Sequence, residues 1–124
     1  MKKGLLFGCY DPLHYGHIRL FRACKEKCDF LIVAIHGNEY IRLHKHREPF
    51  ISIWDRVDDL KDIKTIDQII VNNNRSRNEL AHELGVDIVF LSEEVQGRID
   101  VDNKFEVIHM PRTKGVSSTA MRKV

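Results

Sequence analysis

Short runs that are apolar at nearly every position alternate with stretches of helical periodicity along these 124 residues. Lys3 to Cys9 reads as a buried strand, and the run from Phe30 to Ile35 is a second, punctuated by His36-Gly37-Asn38. Further strands are expected at Gln68 to Val71, Asp87 to Leu91 and Phe105 to His109. Between them, Ile18, Phe21, Cys24 and Cys28 fall on one helical stripe, and Trp54, Val57, Leu60 and Ile63 suggest another helix capped by Ser52. A third helix is expected from about Ser76 to Leu84, closed by Gly85, and a short fourth from near Ser117-Ser118. Strands apolar on both faces need cover on both sides, which predicts an α/β, Rossmann-like three-layer fold around a five-stranded parallel sheet. Such sheets bind ligands beyond the carboxyl ends of their strands, so functional motifs should follow strands directly.

One domain accommodates this length, with a core sufficient to fold without metals or disulfides. No apolar run approaches the ~20 residues of a membrane span. The opening Met1-Lys2-Lys3 with its brief apolar run is too short for a signal peptide, so a cytoplasmic protein is expected. A net charge of +2 with mixed signs argues against bulk nucleic-acid binding and leaves a few phosphates as the natural anionic partner. Cys9, Cys24 and Cys28 do not form a disulfide framework. Cys24 and Cys28, four apart, are read as small buried hydrophobes rather than half of a metal site.

Two segments carry chemistry. Gly8-Cys9-Tyr10-Asp11-Pro12-Leu13-His14-Tyr15-Gly16-His17 runs from the first strand into the first helix. His14 and His17, three apart, present both rings to one side, Gly16 leaves room for a ligand, and the helix start favours an anion. Imidazolium donors there would stabilise charge on a phosphate in transfer; the alternatives are that the pair ligates a metal or that one histidine is a satisfied core residue. Neither a P-loop nor a G-x-G-x-x-G is present. The second segment, Arg112-Thr113-Lys114-Gly115-Val116-Ser117-Ser118-Thr119, combines an arginine, a glycine turn and three hydroxyls at a helix start. Capping explains one hydroxyl, whereas the whole set makes an anion cradle.

His14-Tyr15-Gly16-His17 together with Arg112-Thr113-x-Gly115-x-Ser117-Ser118-Thr119 resembles the HxGH nucleotidyltransferase superfamily, and within it the glycerol-3-phosphate cytidylyltransferase family, over nearly the whole chain. The resemblance implies transfer of CMP from CTP to a small phosphorylated acceptor, with pyrophosphate released, in a homodimer. It implies catalytic roles for His14, His17, Lys45 and Arg112. Nucleotide contacts are implied for Gly8, Cys9, Tyr10, Asp11, His14, Gly16, His17, Arg47, Arg56, Arg112, Thr113, Gly115, Ser117, Ser118 and Thr119. Lys45 and Arg77 would meet the acceptor. No protein-bound metal is implied; Mg²⁺ or another divalent cation would be held mainly by nucleotide phosphates.

The chain departs from the family pattern in four places. Cys9 stands for threonine, Arg47 for lysine, Ser92-Glu93-Glu94-Val95 for a Gly-Asp-Asp-Trp run, and Asn72 to Arg77 for a tryptophan-lysine segment. The basic run Arg42-Leu43-His44-Lys45-His46-Arg47 is read as a mobile flap over the site rather than a nucleic-acid patch. His36, His82 and His109 lack a partnered spacing and are read as structural or surface residues; Glu93 and Glu94 are read as loop acids. The rival functions are an adenylyltransferase using ATP, a non-catalytic nucleotide-binding module and a metal-dependent hydrolase.

Overall fold

In the computed structural model, residues 1–92 and 101–111 are described. The elements run β1 (Lys3–Gly8), α1 (Tyr15–Lys25), β2 (Phe30–His36), α2 (Asn38–Lys45), α3 (Ile53–Lys61), β3 (Gln68–Asn72), α4 (Arg77–Leu84), β4 (Ile88–Ser92) and β5 (Glu106–Met110). The five strands form one sheet in the order β3-β2-β1-β4-β5, and every pairing is parallel. The expected α/β sheet is therefore present, with β1 at its centre. The chain builds outward from β1 through β2 and β3, then restarts on the other side with β4. That reversal opens a crevice at the carboxyl ends of β1 and β4.

Strand side chains alternate between two cores. Leu6, Leu31, Val33, Ile35, Ile88 and Phe90 pack with Phe21 and Cys24 of α1 and Leu60 of α3. Leu5, Phe7, Ile32, Ala34, Val89 and Leu91 pack with Leu80 and Ala81 of α4 on the opposite face. This is the three-layer arrangement that strands apolar on both faces require.

The local signals at α4 are strong. Ser76 caps it, accepting from the Glu79 N–H at 3.1 Å while the Glu79 carboxylate takes the Ser76 N–H, and Gly85 closes it in the left-handed region at φ 62°. In α3 Ser52 stands at the N-cap position but makes no capping hydrogen bond with its side chain, its hydroxyl donating instead to the Asp55 carboxylate, and Trp54 is 69% exposed. The apolar face instead carries Ile53, Val57 and Leu60, because α3 begins one residue before Trp54 and turns it outward.

The run from Arg42 to Lys45, expected as part of a loop, is the second half of α2. Its polar sequence buries only Ile41, so no apolar stripe announces it. The left-handed His46, at φ 56°, ends it.

Candidate active site

The first motif leaves β1 through a tight reversal. Tyr10 sits in the left-handed region at φ 52°, a conformation that a bulky residue holds only when its surroundings dictate it. Its ring folds back over Gly8, where a Cβ would lie 2.4 Å from Tyr10 Cζ. Gly8, expected to contact nucleotide, is thus required by the Tyr10 ring. Tyr10 itself is 3% exposed and stands edge-on to His17, with centroids 4.9 Å apart, and to Phe21 at 5.3 Å. It is the floor beneath His17 rather than an open ligand surface.

His14 is the N-cap of α1 and His17 lies one turn on. Their rings stack at 3.7 Å with 20° between planes. The His14 backbone N–H donates to His17 Nδ1 at 3.1 Å, so the neutral His17 tautomer carries its proton on Nε2. Burial, with His14 adding a smaller push, drives His17 down to about 3. The expected imidazolium is therefore a neutral donor at physiological pH in the ligand-free protein. Gly16, between them, is half-buried in the first turn of α1, where no acidic side chain opposes an anion.

Asp11 and Arg56 also do something other than expected. The buried Asp11 carboxylate accepts from Arg47 at 2.8 Å, from the Phe50 N–H at 2.9 Å and from the Ile51 N–H at 2.6 Å. Burial alone would raise its pKa, but these hydrogen bonds and the Arg47 charge hold it below the usual range. Asp11 therefore ties Arg47 and the loop after α2 to the turn that follows β1.

Arg56 is fully buried. Its Nε donates to Ile51 O, its Nη1 to Cys9 O and His36 O, and its Nη2 to Asn38 Oδ1, all within 2.9 Å. Through these four bonds Arg56 ties the carboxyl ends of β1 and β2 to the starts of α2 and α3 and fixes the frame of the site. Burial lowers its pKa, against the favourable charge of Asp11.

Cys9 is half-buried just beyond β1 and forms no disulfide. Lys45 is exposed at the end of α2, and Arg77 half-buried at the start of α4. The Arg77 guanidinium lies 5.6 Å from the Phe7 ring centroid. Arg112, Thr113, Gly115, Ser117, Ser118 and Thr119 lie outside the described residues, as do Glu93 to Val95. Of the three histidines read as structural or surface, His36 is buried, 7% exposed at the end of β2, and stacks on Tyr40 at 3.7 Å. The spacing His36, Tyr40, His44 repeats every four residues and was the signal that sequence reading passed over. His82 pairs with Asp102 on the surface, and His109 is exposed on β5.

Among the described residues no group of three or more His, Cys, Asp or Glu side chains has the arrangement to hold a metal ion, and no helix is long and apolar enough to cross a membrane.

The cytidylyltransferase-like family model matches residues 5–124. The chain belongs to the cytidylyltransferase-like family. It is 33% identical to a glycerol-3-phosphate cytidylyltransferase of Staphylococcus aureus, over 98% of this chain and 93% of that protein. Against the Bacillus subtilis protein of the same name it is 31% identical, over 98% and 95%. An FAD synthase of Thermococcus sibiricus is 32% identical over 68% of this chain and 57% of that one. The crystal structure of a lipopolysaccharide core biosynthesis protein from Thermoplasma volcanium shares the fold, with TM-score 0.80 over 92% of this chain and 99% of that one at 18% identity. The chain is accordingly an enzyme of the cytidylyltransferase, or nucleotidyltransferase, type.

His17 and His36 give this enzyme an acid-sensitive core. Burial is the main cause that holds each at about 3 in the fold, while an unfolded histidine titrates near ~6.5. Below that value the unfolded chain binds more protons, so the stabilisation is complete above pH ~6.5 and is lost as pH falls toward 3. Urea unfolding should show stability dropping by about 1–2 kcal/mol per histidine between pH ~7 and ~5. A flat profile across that range would show that the rings are not held neutral.

Proposed function

We propose that this enzyme transfers CMP from CTP to a small phosphorylated alcohol, glycerol 3-phosphate or a close analogue, releasing pyrophosphate and a CDP-activated product. The observation that carries the reading is the stacked His14–His17 pair at the start of α1, immediately beyond the central strand. The full-length likeness to two glycerol-3-phosphate cytidylyltransferases supports the base and the acceptor.

In this reading an oxygen of the acceptor phosphate attacks the α-phosphorus of CTP in line. A new P–O bond forms, the bond to the β-phosphate oxygen breaks, and its electrons leave with pyrophosphate. The attacking oxygen is already anionic, so no protein nucleophile or base is needed; the protein supplies position and charge compensation. The His17 Nε2–H donates to the phosphate oxygens as charge gathers on them, with His14 alongside. Arg47, held by Asp11, together with Arg112 and the hydroxyls of Thr113, Ser117, Ser118 and Thr119, grips the triphosphate. Lys45 and Arg77 receive the acceptor phosphate.

The Asp11 carboxylate accepts from Arg47, Phe50 and Ile51, and among the described residues no group of three or more His, Cys, Asp or Glu side chains is placed to hold a metal ion. A divalent cation fits this site as Mg²⁺ carried on the nucleotide, shielding the phosphate charge. The same reading has the protein acting as a homodimer in the cytoplasm, with its three thiols reduced.

Pyrophosphate release should be measured with CTP and with ATP, each with Mg²⁺ and a panel of small alcohol phosphates. ATP belongs in the test because the Thermococcus relatives are FAD synthases. The expected result is release with CTP and a glycerol-phosphate-like acceptor. Release with ATP alone would transfer the same phosphate chemistry to an adenylyltransferase, and silence with both nucleotides would favour a binding module.

A further inference from the structure

Four rings stand in file from the end of β1 to the last turn of α2. Phe7 and His36 lie 5.7 Å apart at 23°, His36 and Tyr40 3.7 Å apart at 7°, and Tyr40 and His44 4.4 Å apart. The Arg77 guanidinium sits over Phe7 at the head of this file, and Lys45 follows His44 at its foot. The step from nucleotide to product described above makes no use of His36.

His36 is nevertheless built to do more than pack. The ring is more than nine-tenths buried, and its Nδ1 has no hydrogen-bond partner among the described residues. An orphaned buried nitrogen is costly, and a phenylalanine would fill the same stack without it. Burial first, then the positive charges of Arg77 on α4, Lys45 and His44 on α2, and Arg56 on α3, holds the ring neutral. A neutral imidazole among cations from three helices can keep a proton on Nδ1 to donate, and the surrounding field favours an anion.

The placement is distinct from the nucleotide pair. Phe7 faces the α4 core, whereas Tyr10, beneath His17, belongs to the α1 core. The two clusters therefore flank the carboxyl end of β1 from opposite faces.

We propose that His36 donates a hydrogen bond to the acceptor's phosphate in a pocket whose charge comes from Arg77 and Lys45, and that Phe7, Tyr40 and His44 hold that ring in place. The identity of the acceptor rests on the function proposed above; the phosphate pocket does not.

Inorganic phosphate titrated into the unaltered protein, in the absence of nucleotide, tests the pocket by histidine ring NMR. The His36 resonances should shift saturably and the ring's pKa should rise, and the response should vanish in Arg77→Gln. No His36 response, or one that survives in Arg77→Gln, overturns the proposal. Steady-state kinetics then tests recognition. His36→Phe, which keeps the stack, should raise the acceptor KM on the order of tenfold, the loss of one hydrogen bond to a charged group, with the CTP KM unchanged. His36→Gln should recover most of the loss. An acceptor KM in His36→Phe equal to that of the unaltered enzyme also overturns the proposal. If no acceptor supports pyrophosphate release, the proposed reaction fails and the phosphate titration still decides the pocket.

Discussion

His17→Ala should lower turnover by roughly a hundred- to a thousandfold, the range for losing one oxyanion donor, while CTP affinity changes only a few-fold. The expectation follows from how the ring is held. Tyr10 supports it edge-on, His14 stacks against it, and the His14 backbone N–H fixes its tautomer. A donor oriented before the substrate arrives needs no reorganisation when charge develops, so its loss falls on the transition state more than on ground-state binding. The measurement is kcat against nucleotide Kd for the same variant. Turnover within a few-fold of the unaltered enzyme would remove His17 from the chemistry, and a parallel collapse of affinity would make it a binding residue.

The largest effect on stability is expected at Arg56. Arg56→Met fills similar volume but strips hydrogen bonds from Ile51 O, Cys9 O, His36 O and Asn38 Oδ1. Three of those acceptors are backbone carbonyls, one at the end of β2, one just beyond β1 and one in the loop pinned by Asp11. Buried acceptors left without donors cost about 1–3 kcal/mol each, and Asp11 also loses a compensating charge. A total loss on the order of 3–5 kcal/mol in urea unfolding is therefore expected, a large share of a small domain's stability. A loss below about 1 kcal/mol would mean that water replaces the guanidinium and that Arg56 is not the frame of the site.

These two residues mark different limits on what sequence reading can see. His17 was legible because its function is local: two histidines three apart at a strand-to-helix junction share a face whatever else the chain does. Arg56 was placed among nucleotide contacts because it matches an arginine of the family. Its partners lie 5 to 47 positions away in sequence, and only folding reveals the four hydrogen bonds that it makes within the chain. The partners of Asp11 were hidden for the same reason, since the N–H groups that donate to it lie 39 and 40 residues on. The loop carrying Arg47 could not be seen as pinned until that carboxylate was placed beneath it.

The helix α2 and the ring file show a subtler limit. Asn38–Lys45 buries a single residue, so hydrophobic periodicity had almost nothing to register, and the basic run was taken for a loop. What stabilises it includes the stacking of Tyr40 on His36, a contact across an element boundary. The same contact helps give His36 the environment of a buried neutral ring. Composition cannot distinguish that ring from a surface histidine such as His109.

By itself the sequence determined the parallel α/β sheet, because runs apolar on both faces have few other ways to be covered, and it brought two histidines to one side of the start of α1, because that pairing is made by spacing alone. The tertiary structure decided the neutral state of His17, the buried hydrogen-bond networks of Asp11 and Arg56 and the burial of His36. Each of those depends on burial and on partners distant in the chain, and burial is a property that only the closed fold confers.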